Sequence, residues 1–462
     1  MKSIFFAMLL VILAVFLATT FVSSPAAQTE AAKYFSQKQI ADGIQFSFER
    51  RLFFWAGFGL HLAILSCIVF SGFARKLADA ILGWSSGRWL LTVLLVGGFC
   101  FLADEAVSLP LGIARLENVR AWGLTHRSIT SWLVDHFLAA GISAIIGGIA
   151  LAGLYFFIRF FPRTWWAPAS LGVMVLAMFV AFILPVWIAP LFNTFTPLEQ
   201  TPWADLKKPI EDLARRADVP VSDVLVADAS RQGSYTNAYF SGFGPTRRIV
   251  LYDTLLKAHG RLSPATTAGF IGLAGSASAM GPVQGASLLE AGRRLGRCEL
   301  ESILAHEMGH WLHNHIVKGI VMGTLAACVG FFILCRILLR LSGSEGHGDS
   351  HALRRTSGRA TPVLLKEPAD PAGVPLVLLL SALGLWLASP LEYAVSRHFE
   401  RQADMVSLDL THRPQVFIEA EKRLARDNIG NVAPSPISVW FFNTHPPPVE
   451  RIRMAEEWTE RK

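Results

Sequence analysis

Charge is what this chain has little of: Asp, Glu, Lys and Arg make up 17% of its 462 residues, against 52% hydrophobic. Soluble globular domains carry about 25% charged residues, so that class is disfavoured from the outset. Cysteine is sparse as well. Cys67, Cys100, Cys298, Cys328 and Cys335 show no CxxC spacing, and all but Cys298 lie in apolar runs. That excludes a disulfide framework and a cysteine metal cluster, and leaves small buried residues. A long basic run is also missing. Despite a net charge of +7 and a pI near 9.3, no nucleic-acid role is supported, because arginines flanking a membrane account for the surplus.

What is present is length without charge. Apolar runs cover Ile4–Phe21, Phe53–Phe73, Trp89–Leu102, Phe137–Phe160, Trp165–Ile188, Val317–Leu339 and Val374–Ala388, and mean hydropathy is +0.41. A spanning helix needs roughly 20 apolar residues, so the runs predict about seven spans, the third being the shortest. The first run follows Lys2 and precedes Ser-Ser-Pro-Ala-Ala-Gln. Its apolar part exceeds the roughly 7–15 residues of a signal core, which predicts a retained first span.

The polar stretches supply the rest of the layout. Gln28 to Arg51 reads as a short extramembrane helix. Leu109 to Phe137, with Arg115, Glu117, Arg120, Trp122 and Trp132, reads as an interfacial loop without a catalytic role. Pro190 and Pro197 end the fifth span. Trp203 to Ala217 has the pattern of a surface helix and Val224 to Ala227 that of a strand. Two further strand-like runs, Ser234–Phe240 and Arg248–Tyr252, flank Ser241-Gly242-Phe243-Gly244-Pro245, a hairpin turn whose strand edge could hold an extended peptide. Thr266–Ala291, rich in Ala, Gly and Ser, reads as a mobile insertion, and Ser342–Gly373 as an extramembrane loop. The division predicted is a five-span membrane domain over 1–189, a metalloprotease segment over 190–316, two spans over 317–390 joined by the 342–373 loop, and the rest of the catalytic domain over 391–462.

Glu299 to His315 reads ELESILAHEMGHWLHNH. His306 and His310 stand one helical turn apart and project from one face, so both can grip one metal ion. Glu307, beside the first histidine, is placed to take a proton from an attacking water. His313 and His315 are not required by the motif and are expected to be solvated at the interface. The sixth span follows this helix, and the seventh brings the chain back to the same side, delivering Ser389 to Leu410. A catalytic zinc needs a third protein ligand. Glu400 is the candidate, since Asp404 one turn later can accept a hydrogen bond from the outer nitrogen of a ligand histidine. Glu392 is the alternative. Three functions compete: a membrane zinc endopeptidase, a quality-control membrane metalloprotease of the heat-shock type, which has fewer spans, and a silent scaffold or receptor, against which the intact Glu307 argues.

The HExxH motif, the ExxxD pattern of Glu400 and Asp404, and the seven-span layout together resemble the integral-membrane zinc CAAX prenyl proteases, the type I enzymes related to the yeast a-factor processing protease. The blocks that carry the likeness are LPLGIARLENVRAWGLTHRS, PLFNTFTPL, SYTNAYFSGFGPTRRIVLYDTLL, ILAHEMGHW, SRHFERQAD and NTHPPPVERI, in that order. The resemblance implies a mainly α, polytopic protein whose seven transmembrane helices enclose a chamber, with a small α+β gluzincin-like domain and one zinc ion at the chamber mouth. It implies cleavage near the C-terminus of a peptide or protein substrate, prenylated or not, in contact with membrane lipid. His306, His310 and Glu400 would be the ligands, Glu307 the general base, and Asp404 the partner that orients a ligand. Asn237, with Ala238 and Tyr239 in one strand, would hold the substrate backbone, while His445 and Arg451 would face the scissile carbonyl. The Thr266–Ala291 stretch departs from the family, whose LYDTLL block runs to the motif helix through a short connection. Arginine outnumbers lysine, which points to a bacterial inner membrane; in a eukaryote the setting would be the endoplasmic reticulum.

Overall fold

Seven helices long and apolar enough to cross a membrane are found in the computed structural model, which describes residues 2–241, 248–259, 288–342 and 365–461. They are Leu10–Ala31, Gln37–Phe70, Trp89–Ala121, Ile129–Phe160, Trp166–Phe192, His315–Leu341 and Pro371–Thr411. Large apolar side chains such as Ile145, Leu325 and Val329 stand more than half exposed on them. Only a non-aqueous surrounding tolerates so wide an apolar surface, so the chain is a multi-pass membrane protein.

Two of these helices run beyond their apolar cores. Gln37–Phe70 is one helix, opened by a Ser36–Gln39 capping box, so the polar stretch up to Arg51 continues the second span rather than forming a helix of its own. Trp89–Ala121 likewise carries the third span through Pro110 into what the sequence suggested was a loop. The extensions support each other. Glu49 on the first accepts from Asn118 Nδ2 at 2.7 Å and Trp122 Nε1 at 2.6 Å on the second side.

After the fifth span comes a small sheet of β1 (Phe195–Pro197), β2 (Asp223–Ala227), β3 (Ala238–Ser241) and β4 (Arg248–Tyr252). Its order is β1-β2-β4-β3, with β2 and β4 parallel and the other pairs antiparallel, so β3 lies at one edge. β3 pairs with β4 in the register Ala238 opposite Leu251, as a hairpin requires. The strand is shorter than Ser234–Phe240 because its first residues are engaged elsewhere: the Ser234 N–H donates to the Leu124 carbonyl at 3.0 Å, and Thr254 Oγ1 donates to the Tyr235 carbonyl at 2.6 Å. The expected turn beyond Ser241, the Thr266–Ala291 stretch up to residue 287, and most of the 342–373 loop lie outside the described residues.

The sheet matters because the motif helix, Leu288–Leu312, packs on it. Leu300, Leu304, Ala305 and Met308 on one face of this helix are buried against Ile249 and Leu251 of β4 and Leu213 of the Lys207–Arg216 helix. Each leucine so buried contributes roughly 1.5–3 kcal/mol. This stripe fixes the helix about its axis, which turns His306 and His310 away from the sheet core.

Candidate active site

The motif helix crosses the seventh helix, Val374–Thr411, at Gly309. A methyl group there would sit 2.7 Å from the Ala403 Cα and 3.0 Å from its carbonyl oxygen, so only glycine permits the approach. One turn away, Ser407 Oγ donates to the Ser302 carbonyl at 2.7 Å. The contact brings Glu400 opposite the two histidines.

His306 Nε2 lies 3.2 Å from His310 Nε2 and 3.3 Å from Glu400 Oε2, and His310 Nε2 lies 3.5 Å from Glu400 Oε1. Zinc bonds of about 2.0–2.1 Å in a tetrahedron place ligand atoms roughly 3.4 Å apart, so the donor set fits zinc in type and spacing. Glu400 Oε2 is buried and makes no hydrogen bond, which a cation at this point would remedy. These three residues are the one group among the described residues with metal-ligand proximity. Glu392 is exposed earlier on the same helix and does not join them.

The electrostatics carry the same message. Burial lowers the His306 imidazole, yet its hydrogen bond with Asp404 and the Glu400 carboxylate facing it carry it up to about 10. Burial, with the charge of His306, holds His310 down to about 4. The two carboxylates facing His306 favour a positive charge at this point, which a proton or a metal ion can supply. Glu307 is pushed up to about 7 by burial, with His306 drawing it down and Glu400 raising it.

Behind His306 runs a buried chain of ion pairs. Its Nδ1 meets Asp404 Oδ1 at 2.7 Å, Arg451 Nε donates to Asp404 Oδ2 at 2.9 Å, and Arg451 Nη1 donates to Glu421 Oε2 at 2.7 Å. Arg451 was expected at the scissile carbonyl, but both ends of its guanidinium are taken by buried carboxylates, so it braces Asp404 instead. Glu421, on the Pro414–Asp427 helix, was missed because nothing in its local sequence marks it. His445 does reach the cluster, with Nε2 at 3.4 Å from Glu400 Oε2 and its side chain 61% exposed. The Thr444 hydroxyl lies 2.9 Å from His445 Nδ1. When that hydroxyl donates, the proton sits on Nε2, the nitrogen nearer the cluster.

His315 departs from expectation. It is buried rather than solvated, 2.9 Å from His310 Nδ1 through its own Nδ1, and stacked on Phe399 at 4.2 Å. Asn314, at φ +52°, breaks the helix between the two histidines and aims the ring back. The substrate strand also differs in detail. Asn237 precedes β3, its carbonyl accepting from the Tyr252 N–H at 3.0 Å and its Oδ1 accepting from the Ala238 N–H at 2.9 Å. Since the 237–252 pair is hydrogen-bonded, alternation leaves Ala238 and Phe240 with backbone groups facing the open edge. The Ala238 side chain is in the core, and Tyr239 packs edge-on against Tyr252.

Replacing Asp404 with Asn should lower metal affinity about 10–100-fold, the usual effect of an outer partner. Titration with a competing chelator checks this, and unchanged affinity would remove Asp404 from the role.

The family model described as peptidase family M48 matches residues 200–459, and that described as CAAX prenyl protease N-terminal, five membrane helices, matches residues 29–194. An uncharacterized metalloprotease of Bacillus subtilis, YhfN, is 26% identical over 436 residues, 93% of this chain and 88% of its own. CAAX prenyl protease 1 of Saccharomyces cerevisiae is 28% identical over 396 residues, 81% of this chain and 75% of its own. In fold, the crystal structure of S. mikatae Ste24p is similar at a TM-score of 0.70 and 22% identity, over 96% of this chain and 94% of that one.

Proposed function

Because the chain belongs to peptidase family M48 and is a membrane metalloprotease, we propose that it holds one zinc ion on His306, His310 and Glu400 and cleaves peptides near the C-terminus of membrane-associated substrates of CAAX or similar type. The observation that carries the reading is the close approach of those three side chains, 3.2–3.5 Å between ligand atoms, beside Glu307. Zinc in such a site acts as a Lewis acid, acidifying water and polarising a carbonyl.

The chain's own residues do the rest. Glu307, which has no side-chain partner among the described residues, accepts the proton of the attacking water and passes it to the leaving amine. His445 donates from Nε2 toward the developing oxyanion. The open edge of β3 supplies the Ala238 carbonyl and the Phe240 backbone groups for an extended substrate, and Asn237, which takes the Ala238 N–H, holds the start of that strand in place. A quality-control protease of the heat-shock type is not favoured, since the match to five N-terminal membrane helices exceeds what that group contains.

The test is hydrolysis of quenched fluorescent peptides by the purified protein in lipid discs, with zinc content measured in parallel. Cleavage that a chelator abolishes and zinc restores supports the reading, whereas zinc-loaded protein that cleaves none of a broad panel refutes it. Within that assay, His445→Ala should leave zinc content unchanged and lower kcat by about 10²–10³-fold with KM little altered, the loss of one oxyanion donor. A rise in KM alone would make His445 a substrate-positioning residue.

A further inference from the structure

His310 is served by a different outer partner from His306, and the hydrogen-bond directions there are fixed from one end. Gln402 Oε1 lies 3.0 Å from His315 Nε2. A carbonyl oxygen only accepts, so His315 Nε2 carries the proton and, in the neutral ring, Nδ1 keeps its lone pair. That Nδ1 is 2.9 Å from His310 Nδ1, and it can only accept there. His310 Nδ1 must then be the protonated nitrogen, which leaves the lone pair on Nε2, the atom facing His306 and Glu400.

We propose that Gln402 and His315 form a tautomer-setting relay that holds His310 in its metal-binding form, with Gln402 a positioning residue two bonds removed from the ion. It rests on the reading of His310 as a ligand. The surroundings favour a relay over casual contact. His315 is buried and stacked on Phe399 at an interplanar angle of 8°, which fixes the plane of its ring, while Gln402 on one side and His310 on the other engage its two nitrogens. Gln402 comes from the seventh helix, between Glu400 and Asp404, so one helix turn carries the carboxylate ligand, the outer partner of His306 and the far end of the relay to His310. The two partners are chemically unequal. Asp404 brings a negative charge to His306, whereas the relay reaches His310 with no net charge. One charged and one neutral partner satisfy the two histidines without a further buried anion beside Glu400.

The relay predicts an order of variants that packing alone would reverse. Gln402→Met preserves volume and flexibility but removes the acceptor, while Gln402→Glu keeps the acceptor and adds a charge. Zinc affinity, measured by chelator competition on the folded full-length protein in lipid discs, should fall about 10–100-fold in Gln402→Met and be retained in Gln402→Glu. If Gln402 merely fills space, Met is the tolerated change and Glu the damaging one, and that result overturns the relay. His315→Phe keeps the stack on Phe399 and removes the relay in one step. It should match the loss in Gln402→Met, and an unaltered affinity there would also overturn the proposal. His310→Ala separates the two levels: if it leaves affinity unchanged, His310 is no ligand, whereas if it weakens binding and neither relay variant does, only the relay fails.

Discussion

A Glu307→Gln protein should bind zinc as tightly as the parent and turn over substrate on the order of 10²–10⁴-fold more slowly, the range for removing a positioned general base. The amide has the shape of the carboxylate but cannot accept a proton from water. Glu307 is not among the proposed ligands and has no partner among the described residues to lose, so the metal and the fold have no reason to respond. The pH profile gives a second readout. Burial, with Glu400 adding to it and His306 opposing it, sets this carboxyl near 7, and a bound cation lowers it, because positive charge favours the ionised form. The base works deprotonated, so kcat/KM in the parent should fall as pH drops through that lowered value, below 7. The residual activity of the Gln variant should lack this limb. Full activity in a zinc-loaded variant would end the assignment.

Glu400→Ala should fail earlier, at metal binding. Two imidazoles 3.2 Å apart remain, but without the carboxylate the site loses both a ligand and the charge that offsets the ion. Affinity should fall by more than the roughly 100-fold at the upper end for outer partners, and activity with it. Glu392→Ala, on the exposed part of the same helix, should change neither. Metal analysis of the two proteins decides between the carboxylates: tight zinc in Glu400→Ala together with loss in Glu392→Ala would make Glu392 the ligand.

The elements legible in the sequence were those whose cause is local. Apolar length marked the spans, β-branched content marked β2 and β4, and the spacing of His306 and His310 marked the cluster. Glu400 was reachable by a longer inference, because two crossings must return the chain to its starting side. What stayed hidden depends on neighbours distant in sequence. The third helix outruns its apolar core because Glu49 bonds Asn118 and Trp122, a contact no window of residues contains. Arg451 lies in the right region, yet its direction is set by Asp404 and Glu421 from two other helices. His315 carries no local signal of burial, because a histidine at a membrane boundary is usually wet. The signal that could have promoted it was Asn314, a residue that tolerates the left-handed turn needed to fold the next side chain back.

The split of the candidate ligands between the motif helix and the seventh helix bears on how the molecule is made. His306 and His310 leave the ribosome well before Glu400, and two membrane crossings separate them. A nascent chain therefore displays two imidazoles with no carboxylate to complete them until its last hairpin has been threaded and turned back. Arg451 and Glu421, which brace the assembly from behind, emerge later still. On the proposed ligand set, the metal site is completed only by the final crossing, and a molecule stalled or misthreaded there lacks its carboxylate ligand.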